Sequence, residues 1–163
     1  MVYGETSGTI QNVRNAPLSS RRILSEEEFK PYGEKLTLFA EWCYHEGMPI
    51  SFHHHMGTAI ETERDLDLLM RNSDKTVSLL YDPGHMAFAN GNVYEIIERH
   101  GHRISHFHAK DVRSNIAPAT ASFSCNKLIK KTGTINRTAV APPKPRSLVN
   151  TAKLKLPLLN IRN

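Results

Sequence analysis

Residues 1–113 alternate between segments with the hydrophobic period of a helix and short apolar runs of strand length. Ser25 and Glu28 have the spacing of a capping box, and apolar residues recur at helical spacing behind them. Pro31 removes a backbone donor one turn inside this segment, so we expect the regular helix to begin nearer Pro31 than Ser25. Gly47 is placed to end the helix, because glycine adopts the left-handed C-terminal conformation without strain.

Three apolar runs predict strands at residues 49–52, 77–81 and 104–108. Two further helices are predicted to begin at 62–65 and 92–95, where capping residues precede apolar ones. The order helix–strand–helix–strand–helix–strand, with short connections, predicts a parallel α/β sheet. A polar cluster follows each strand, at the carboxyl ends where such sheets place their active sites.

Charge divides the chain of 163 residues into two unlike parts. Residues 1–113 hold all 16 acidic residues and 12 of the 21 Lys and Arg, whereas residues 114–163 hold nine Lys and Arg and no acid. The second part is rich in Pro and small residues and lacks helical or strand periodicity. The formal net charge of +5 therefore comes from the tail and says little about the partners of the first part.

Three simple features bear on location. The sequence contains no run of 18 apolar residues, so we expect no transmembrane helix. Its first residues lack a basic segment followed by an apolar one, so no secretory signal is expected. The two cysteines, Cys43 and Cys125, form no disulfide framework, which is typical of a reducing cytoplasm.

His53, Asp82 and His108 lie at the ends of the three predicted strands, at intervals of 29 and 26 residues. One βα unit takes roughly 30 residues, so we expect the three side chains at the same level on successive strands. Neighbouring parallel strands lie about 4.8 Å apart, which lets such side chains converge on one ion. Imidazole and carboxylate ligands suit a divalent transition metal such as Mn, Co, Fe or Zn.

Three more histidines lie near the same strand ends and are candidate ligands or proton carriers: His55, His85 and His106. A structural interpretation competes with this one. Asp82 could simply cap the following Pro-Gly turn, and single histidines at strand ends are most often hydrogen-bonded or surface residues. The joint pattern of three strand ends that each supply a ligand favours the metal site.

Three motifs resemble a known family: FHHHMGT at 52–58, DxGHMxFA at 82–89 and HFHxKDVR at 106–113. They are similar to myo-inosose-2 dehydratase, in the xylose-isomerase-like TIM-barrel superfamily. The resemblance implies that residues 1–113 form a partial (β/α)8 barrel, about strands four to seven, followed by an irregular basic tail at 114–163. Since a complete barrel takes about 250 residues, we expect the sequence to be a fragment.

The resemblance also implies which residues hold the metal. Asp82 and His108 match the metal ligands of strands six and seven in sugar-isomerising relatives. Those relatives carry a glutamate on strand five, where this sequence has His53, with His55 as the alternative ligand. Their strand-eight glutamate has no counterpart. The family is associated with Co or Mn, and with glutathione as a stimulating cofactor.

The implied reaction removes water from 2-keto-myo-inositol in inositol catabolism, which makes the expected partner a small cyclic polyol ketone. A metal at the ketone oxygen would stabilise the enolate formed when the α-proton leaves. His85 or His55 is the predicted proton acceptor. Lys110 is predicted to hold a substrate hydroxyl or to balance charge.

Two other functions stay open. The same metal face could serve a sugar isomerase or epimerase of the superfamily. Alternatively, the chain could be a non-enzymatic protein that binds nucleic acid through residues 114–163 and uses the βα part as a scaffold. We favour a frameshift-derived tail over such an arm, because the tail replaces a strand that the barrel needs; nucleic-acid binding is therefore not expected.

Overall fold

The computed structural model describes residues 1–10, 13, 15–112 and 129–136. The strands are β1 (Val2–Tyr3), β2 (Ser51–His53), β3 (Ser78–Tyr81), β4 (Ile104–Val112) and β5 (Ile129–Asn136). The helices are α1 (Glu26–His45), α2 (Glu63–Asn72), α3 (Pro83–Phe88) and α4 (Val93–His100), with short 3-10 turns at Leu18–Ser20 and Gly101–Arg103. No helix in these ranges is both long enough and apolar enough to cross a membrane.

The sheet has the strand order β1-β2-β3-β4-β5, and its first four strands are parallel neighbours in chain order. At least one helix lies between each strand and its parallel successor. In a (β/α)8 barrel each strand lies beside the strand that precedes it in the chain, always on the same side, whereas in a doubly wound sheet the side on which strands are added reverses. The predicted α/β class and partial barrel are therefore confirmed.

Helix α1 begins earlier than the proline led us to expect. Ser25 accepts a hydrogen bond from the Glu28 amide at 3.4 Å, and the Glu28 carboxylate accepts from the Ser25 amide at 2.8 Å. This reciprocal cap stabilises the first turn, so the helix starts at Glu26 and runs through Pro31. The expected start nearer Pro31 is wrong, because the proline costs one backbone hydrogen bond and the cap offsets it.

Gly47 ends the helix as predicted. Its φ angle is +76°, its amide donates to the Tyr44 carbonyl at 3.0 Å, and the Met48 amide donates to the Cys43 carbonyl at 2.8 Å. This pair of bonds is a Schellman motif, which satisfies carbonyls left open at the helix end.

The core lies between the helices and the parallel sheet. Helix α1 packs against α2, and both cover the strands from one side. Most of the buried residues of α1 are the apolar ones that recur at helical spacing in the sequence. The buried set is Phe29, Gly33, Leu36, Ala40 and Cys43. Strands β2 and β3 contribute Phe52, Leu79 and Tyr81 to this core, and Leu80 is also fully buried. Buried strands of this kind fix where the residues that follow them are placed.

Two elements differ from the sequence pattern. Helix α3 has only six residues and follows directly from Asp82, which caps it. Strand β5 lies inside the segment expected to be irregular and pairs antiparallel with β4, from His106 opposite Asn136 to Val112 opposite Ile129. The remainder of 114–163, with its predicted frameshift or nucleic-acid arm, lies outside the described residues.

Candidate metal centre

Three parallel strands bring the predicted ligands to one point. His53 is the last residue of β2, Asp82 follows β3, and His108 lies within β4. The Asp82 Oδ2 atom is 3.5 Å from His53 Nε2 and 3.5 Å from His108 Nδ1. It is also 3.4 Å from His85 Nε2. The structure thus gathers three imidazoles around one carboxylate oxygen, and His85 is as close as the two histidines predicted to be ligands.

The strand ends are staggered rather than level. His53 pairs in register with Leu80, and Leu80 with His106, so Asp82 and His108 lie two residues further along their strands than His53 does. Strands of a closed barrel tilt and shift register between neighbours. The expected common level therefore holds for Asp82 and His108 and is wrong for His53. The side chain of His53 nevertheless reaches Asp82, at 3.5 Å.

Among the described residues, the ligand atoms of His53, Asp82 and His85 all lie within 4.8 Å of one another, a group that does not include His108, which reaches the site through Asp82 Oδ2. Metal–nitrogen bonds of about 2.1 Å in a tetrahedral site put the ligand atoms about 3.4 Å apart. The distances from Asp82 Oδ2 to the three imidazoles, 3.4–3.5 Å, match that value. His53 Nε2 and His108 Nδ1 are buried and accept or donate no hydrogen bond within the described part of the chain. Buried polar atoms normally have a partner, so these two nitrogens are suited to ligation.

Lys110 supplies positive charge at the same point. Its Nζ atom forms an ion pair with Asp82 Oδ2 and lies 2.8 Å from His85 Nε2. Burial alone would raise the pKa of Asp82, but contacts with His53, His85 and Lys110 outweigh it and hold the pKa well below its ordinary value. Because an ammonium group can only donate, His85 Nε2 accepts here and carries no proton.

Four histidines in or beside the cluster are neutral at neutral pH. Burial lowers the pKa of His54 to about 3 and that of His55 to about 4. Burial is also the main cause of the lowered pKa values of His85 and His108. Metal ligation requires neutral imidazole and ionised carboxylate. Asp82, His85 and His108 are therefore in that state before any metal binds.

These lowered pKa values predict acid sensitivity. Between about pH 4 and the ordinary value of 6.5, the unfolded chain binds protons at His54 and His55 that the folded chain excludes. The free energy of unfolding should therefore fall as pH drops below 6.5, by about 1.4 kcal/mol per pH unit for each such histidine. Urea unfolding at pH 7.5, 6.5 and 5.5, with a chelator present, measures this. A midpoint that stays constant over this range would contradict it.

Asp82 uses its two carboxylate oxygens for different purposes. Its Oδ1 atom accepts from the His85 amide at 3.2 Å and caps α3, while Oδ2 faces the imidazoles. The structural interpretation of Asp82 as a cap is thus correct and compatible with ligation. Its amide donates to His54 Nε2 at 3.2 Å, and the His54 ring stacks on Tyr81 with centroids 5.6 Å apart.

His54 is a residue that sequence reasoning missed. It is fully buried, and it fixes the backbone at Asp82 rather than facing the cluster. The signal was available in the alternation of a strand, which turns the middle of three consecutive histidines away from its neighbours. None of the three consecutive histidines at 53–55 is exposed, so the interpretation of strand-end histidines as surface residues is wrong for them.

His55 and His106 lie at different places. The ring of His55 is 3.8 Å from that of His85 and 5.4 Å from that of His53, so it borders the cluster. Its Nδ1 atom is 2.9 Å from the Met56 carbonyl oxygen. His106 instead bonds through Nδ1 to the Ser51 and Ser105 hydroxyls, at 3.1 and 3.2 Å, near the start of β2.

Gly84 permits the close approach of α3 to β4. A Cβ atom at this position would lie 2.6 Å from Lys110 Cβ and 3.3 Å from Asp82 Oδ1. We expect Gly84→Ala to lower the free energy of unfolding by about 1–3 kcal/mol and to weaken metal binding, because it displaces both side chains.

Gly101→Ala is the matched control. Its Cβ would meet only Ile97 Cγ2 at 3.9 Å, and its backbone is already helical, so a change within about 0.5 kcal/mol is expected. Urea unfolding and metal titration of both variants make the comparison. Equal effects of the two substitutions would show that Gly84 is not required for the close approach of α3 to β4.

The fold and the cluster together define a class of protein. Four parallel strands in chain order, helices between them and a polar site at the carboxyl ends are part of a (β/α)8 barrel, where such sites are active sites. Comparison with known sequences narrows it further.

The chain is 43% identical over 120 residues to the rhizopine catabolism protein MocC of Rhizobium meliloti, a match that covers 73% of this chain and 37% of that protein. It is 38% identical over 119 residues to the inosose dehydratase of Geobacillus thermodenitrificans, covering 72% and 40%. The inosose dehydratase of Histophilus somni is 32% identical over 141 residues, covering 85% and 46%. The resemblance to inosose dehydratases is confirmed, and the chain spans less than half the length of these relatives.

Among solved structures, the probable 3-DHS dehydratase AsbF of Bacillus anthracis, involved in petrobactin synthesis, is similar at a TM-score of 0.48. The match has 20% identity and covers 56% of this chain and 34% of that one. No protein-family model matches the chain.

Proposed function

We propose that the chain is part of a metal-dependent dehydratase that removes water from 2-keto-myo-inositol in inositol catabolism. The named relatives include inosose dehydratases, which supports the substrate and the reaction. The observation that carries the proposal is the cluster itself, in which three imidazoles surround Asp82 Oδ2 at 3.4–3.5 Å. Its place at the carboxyl ends of parallel strands is where barrel enzymes carry out chemistry.

Four side chains are proposed to hold the metal. His53, Asp82 and His108 are the ligands that the sequence predicted, and the equal distance of His85 makes it the fourth. The ligand atoms of His53, Asp82 and His85 all lie within 4.8 Å of one another. A histidine-rich set with one carboxylate suits a divalent transition metal, and the similarity to inosose dehydratases leads us to propose Mn or Co. When bound, such a metal supplies a Lewis acid for the ketone oxygen.

The proton is proposed to pass to His55. Since a carbonyl oxygen can only accept, the contact between His55 Nδ1 and the Met56 carbonyl places the proton on Nδ1. The other ring nitrogen then carries a lone pair beside the cluster. With a pKa lowered to about 4, His55 is neutral at neutral pH and able to take the α-proton.

Lys110 is proposed to bind substrate. Its ammonium group lies at Asp82 and His85, so it can donate to a substrate hydroxyl at the same place. In that position it would assist departure of the β-hydroxyl by stabilising negative charge. Glutathione and a cytoplasmic location stay predictions of the sequence alone.

A chimaeric barrel tests the proposal. The segment of the Geobacillus inosose dehydratase that aligns with this chain over 119 residues would be replaced by the matching segment of this chain. With Mn²⁺ or Co²⁺ we expect the chimaera to convert 2-keto-myo-inositol to a trihydroxycyclohexane dione by loss of water. This activity should be lost on chelation and in a chimaera that carries Asp82→Asn. A chimaera that binds metal but isomerises only aldoses and ketoses would overturn the proposed reaction in favour of an isomerase.

A further inference from the structure

An arginine outside the cluster ties two distant segments together. Arg21 precedes α1, and its side chain is only 9% exposed. Its Nε atom is 3.5 Å from Glu61 Oε1, and its Nη2 atom is 3.1 Å from Asp65 Oδ2. Its Nη1 atom donates to the Thr58 carbonyl at 3.3 Å. One guanidinium therefore contacts three acceptors of the loop that follows β2 and of the helix that this loop enters.

That loop is closed around His55. The Thr58 hydroxyl donates to the His55 carbonyl at 2.7 Å, and the His55 amide donates to the Ile60 carbonyl at 3.1 Å. The Gly57 amide donates to the Glu61 carboxylate, which Arg21 holds from the other side. Hydrogen bonds thus hold the loop at His55 and Gly57, and Arg21 contacts both residues that form them, Thr58 and Glu61.

The charges explain why an arginine is needed. The side chains of Glu61 and Asp65 are 10% and 1% exposed, so two carboxylates are buried close together. Burial raises the pKa of Glu61, while the Gly57 amide and Arg21 act to lower it. Arg21 is the cation that contacts both carboxylates. Removing it would take the shared cation from both carboxylates and leave Asp65 with Arg64, at 3.4 Å, and Glu61 with the Gly57 amide.

We propose that Arg21 is a positioning residue that holds His55 in the orientation and tautomer required beside the metal centre. The proposal rests on the proposed function only for the role of His55 as proton acceptor. One path of contacts runs from Arg21 to Thr58, whose hydroxyl donates to the His55 carbonyl, and a second runs from Arg21 through Glu61 to the Gly57 amide. Between these two points the Met56 carbonyl contacts Nδ1 of the His55 ring. The hydrogen bond of one ring nitrogen sets which nitrogen carries the proton.

The test compares Arg21→Met with Arg22→Met. Arg22 is the matched control, because it is the neighbouring arginine and its ion pair with Glu28, at 3.3 Å, is exposed on both sides. The ring nitrogens of the ¹⁵N-labelled full chain would be observed by long-range ¹H–¹⁵N correlation at neutral pH, without metal. His55→Gln assigns the His55 signals, and urea unfolding reports stability separately.

The wild type and Arg22→Met should show His55 protonated at Nδ1. In Arg21→Met we expect the Nε2-protonated form or an exchange average, with Arg21→Lys intermediate because lysine cannot reach three acceptors. If Arg21→Met does not fold, Arg21→Met with Glu61→Met carries the same test, since it removes one buried carboxylate together with the cation. An unchanged His55 signature in a destabilised but folded variant would overturn the proposal. This readout needs no activity, so it is separable from failure of the dehydratase assignment.

Discussion

Replacing Asp82 by asparagine is expected to remove metal binding while leaving the fold intact. Asp82 Oδ2 is the atom that lies 3.4–3.5 Å from all three imidazoles, and a neutral amide at that point binds a divalent cation poorly. Asparagine caps helices as well as aspartate does, so the bond from the His85 amide persists. Because even outer partners of ligands contribute about 10–100-fold in affinity, we expect a loss of at least about 100-fold.

Calorimetric titration with Mn²⁺ or Co²⁺ measures this, with Asp67→Asn as the control. Asp67 lies on α2 and contacts Arg99 and His100, away from the cluster. Its substitution should leave the dissociation constant unchanged. Wild-type affinity in Asp82→Asn would show that the cluster is held together by Lys110 and hydrogen bonds and is not a metal site.

Gly33→Ala is expected to be the most destabilising substitution of a glycine. A Cβ atom on Gly33 would lie 2.1 Å from the Asn72 carbonyl oxygen and 2.6 Å from its carbon, so the backbones of α1 and α2 would have to separate. A flexible side chain could yield, but backbone at the end of a packed helix cannot. We expect the free energy of unfolding to fall by about 3 kcal/mol or more, measured by urea unfolding.

Gly47→Ala is the comparison that separates the cost of a steric contact from the cost of a strained backbone. Gly47 has φ +76°, and a Cβ there would meet nothing within 4 Å. It should cost about 1 kcal/mol through the left-handed backbone alone. If Gly33→Ala cost no more than Gly47→Ala, the close packing of α1 on α2 would be incorrect.

The sequence predicts what is decided locally. Ser25 with Glu28 marks the start of α1, Thr62 and Asn92 cap α2 and α4 as expected, and each cap needs only residues within one turn. The strands β2 and β3 can be predicted from the sequence, because a strand that is covered on both faces needs a continuous apolar run. Pro31 shows the limit, since its local cost is real but smaller than the gain from the cap and the buried face.

The site is predictable only as a set of residue types. Polar residues at the ends of the predicted strands single out His53, Asp82 and His108 as candidates, although β4 continues past His108 to Val112. The two-residue stagger between His53 on β2 and Asp82 after β3 depends on how the strands pair, which no single segment encodes. Arg21 is separated from Glu61 by 40 positions, and nothing near it in the chain marks it as a partner of the loop. Long-range ion pairs of this kind require the fold.

The proposed role of the imidazoles around Asp82 as metal ligands is tested most directly by counting them on a bound metal. X-ray absorption of the Co²⁺-loaded chain reports the number of histidine nitrogens bound to the metal. We predict three imidazoles and one carboxylate oxygen in the wild type, and two imidazoles after His108→Ala. A spectrum of oxygen ligands alone, unchanged by His108→Ala, would contradict the metal centre.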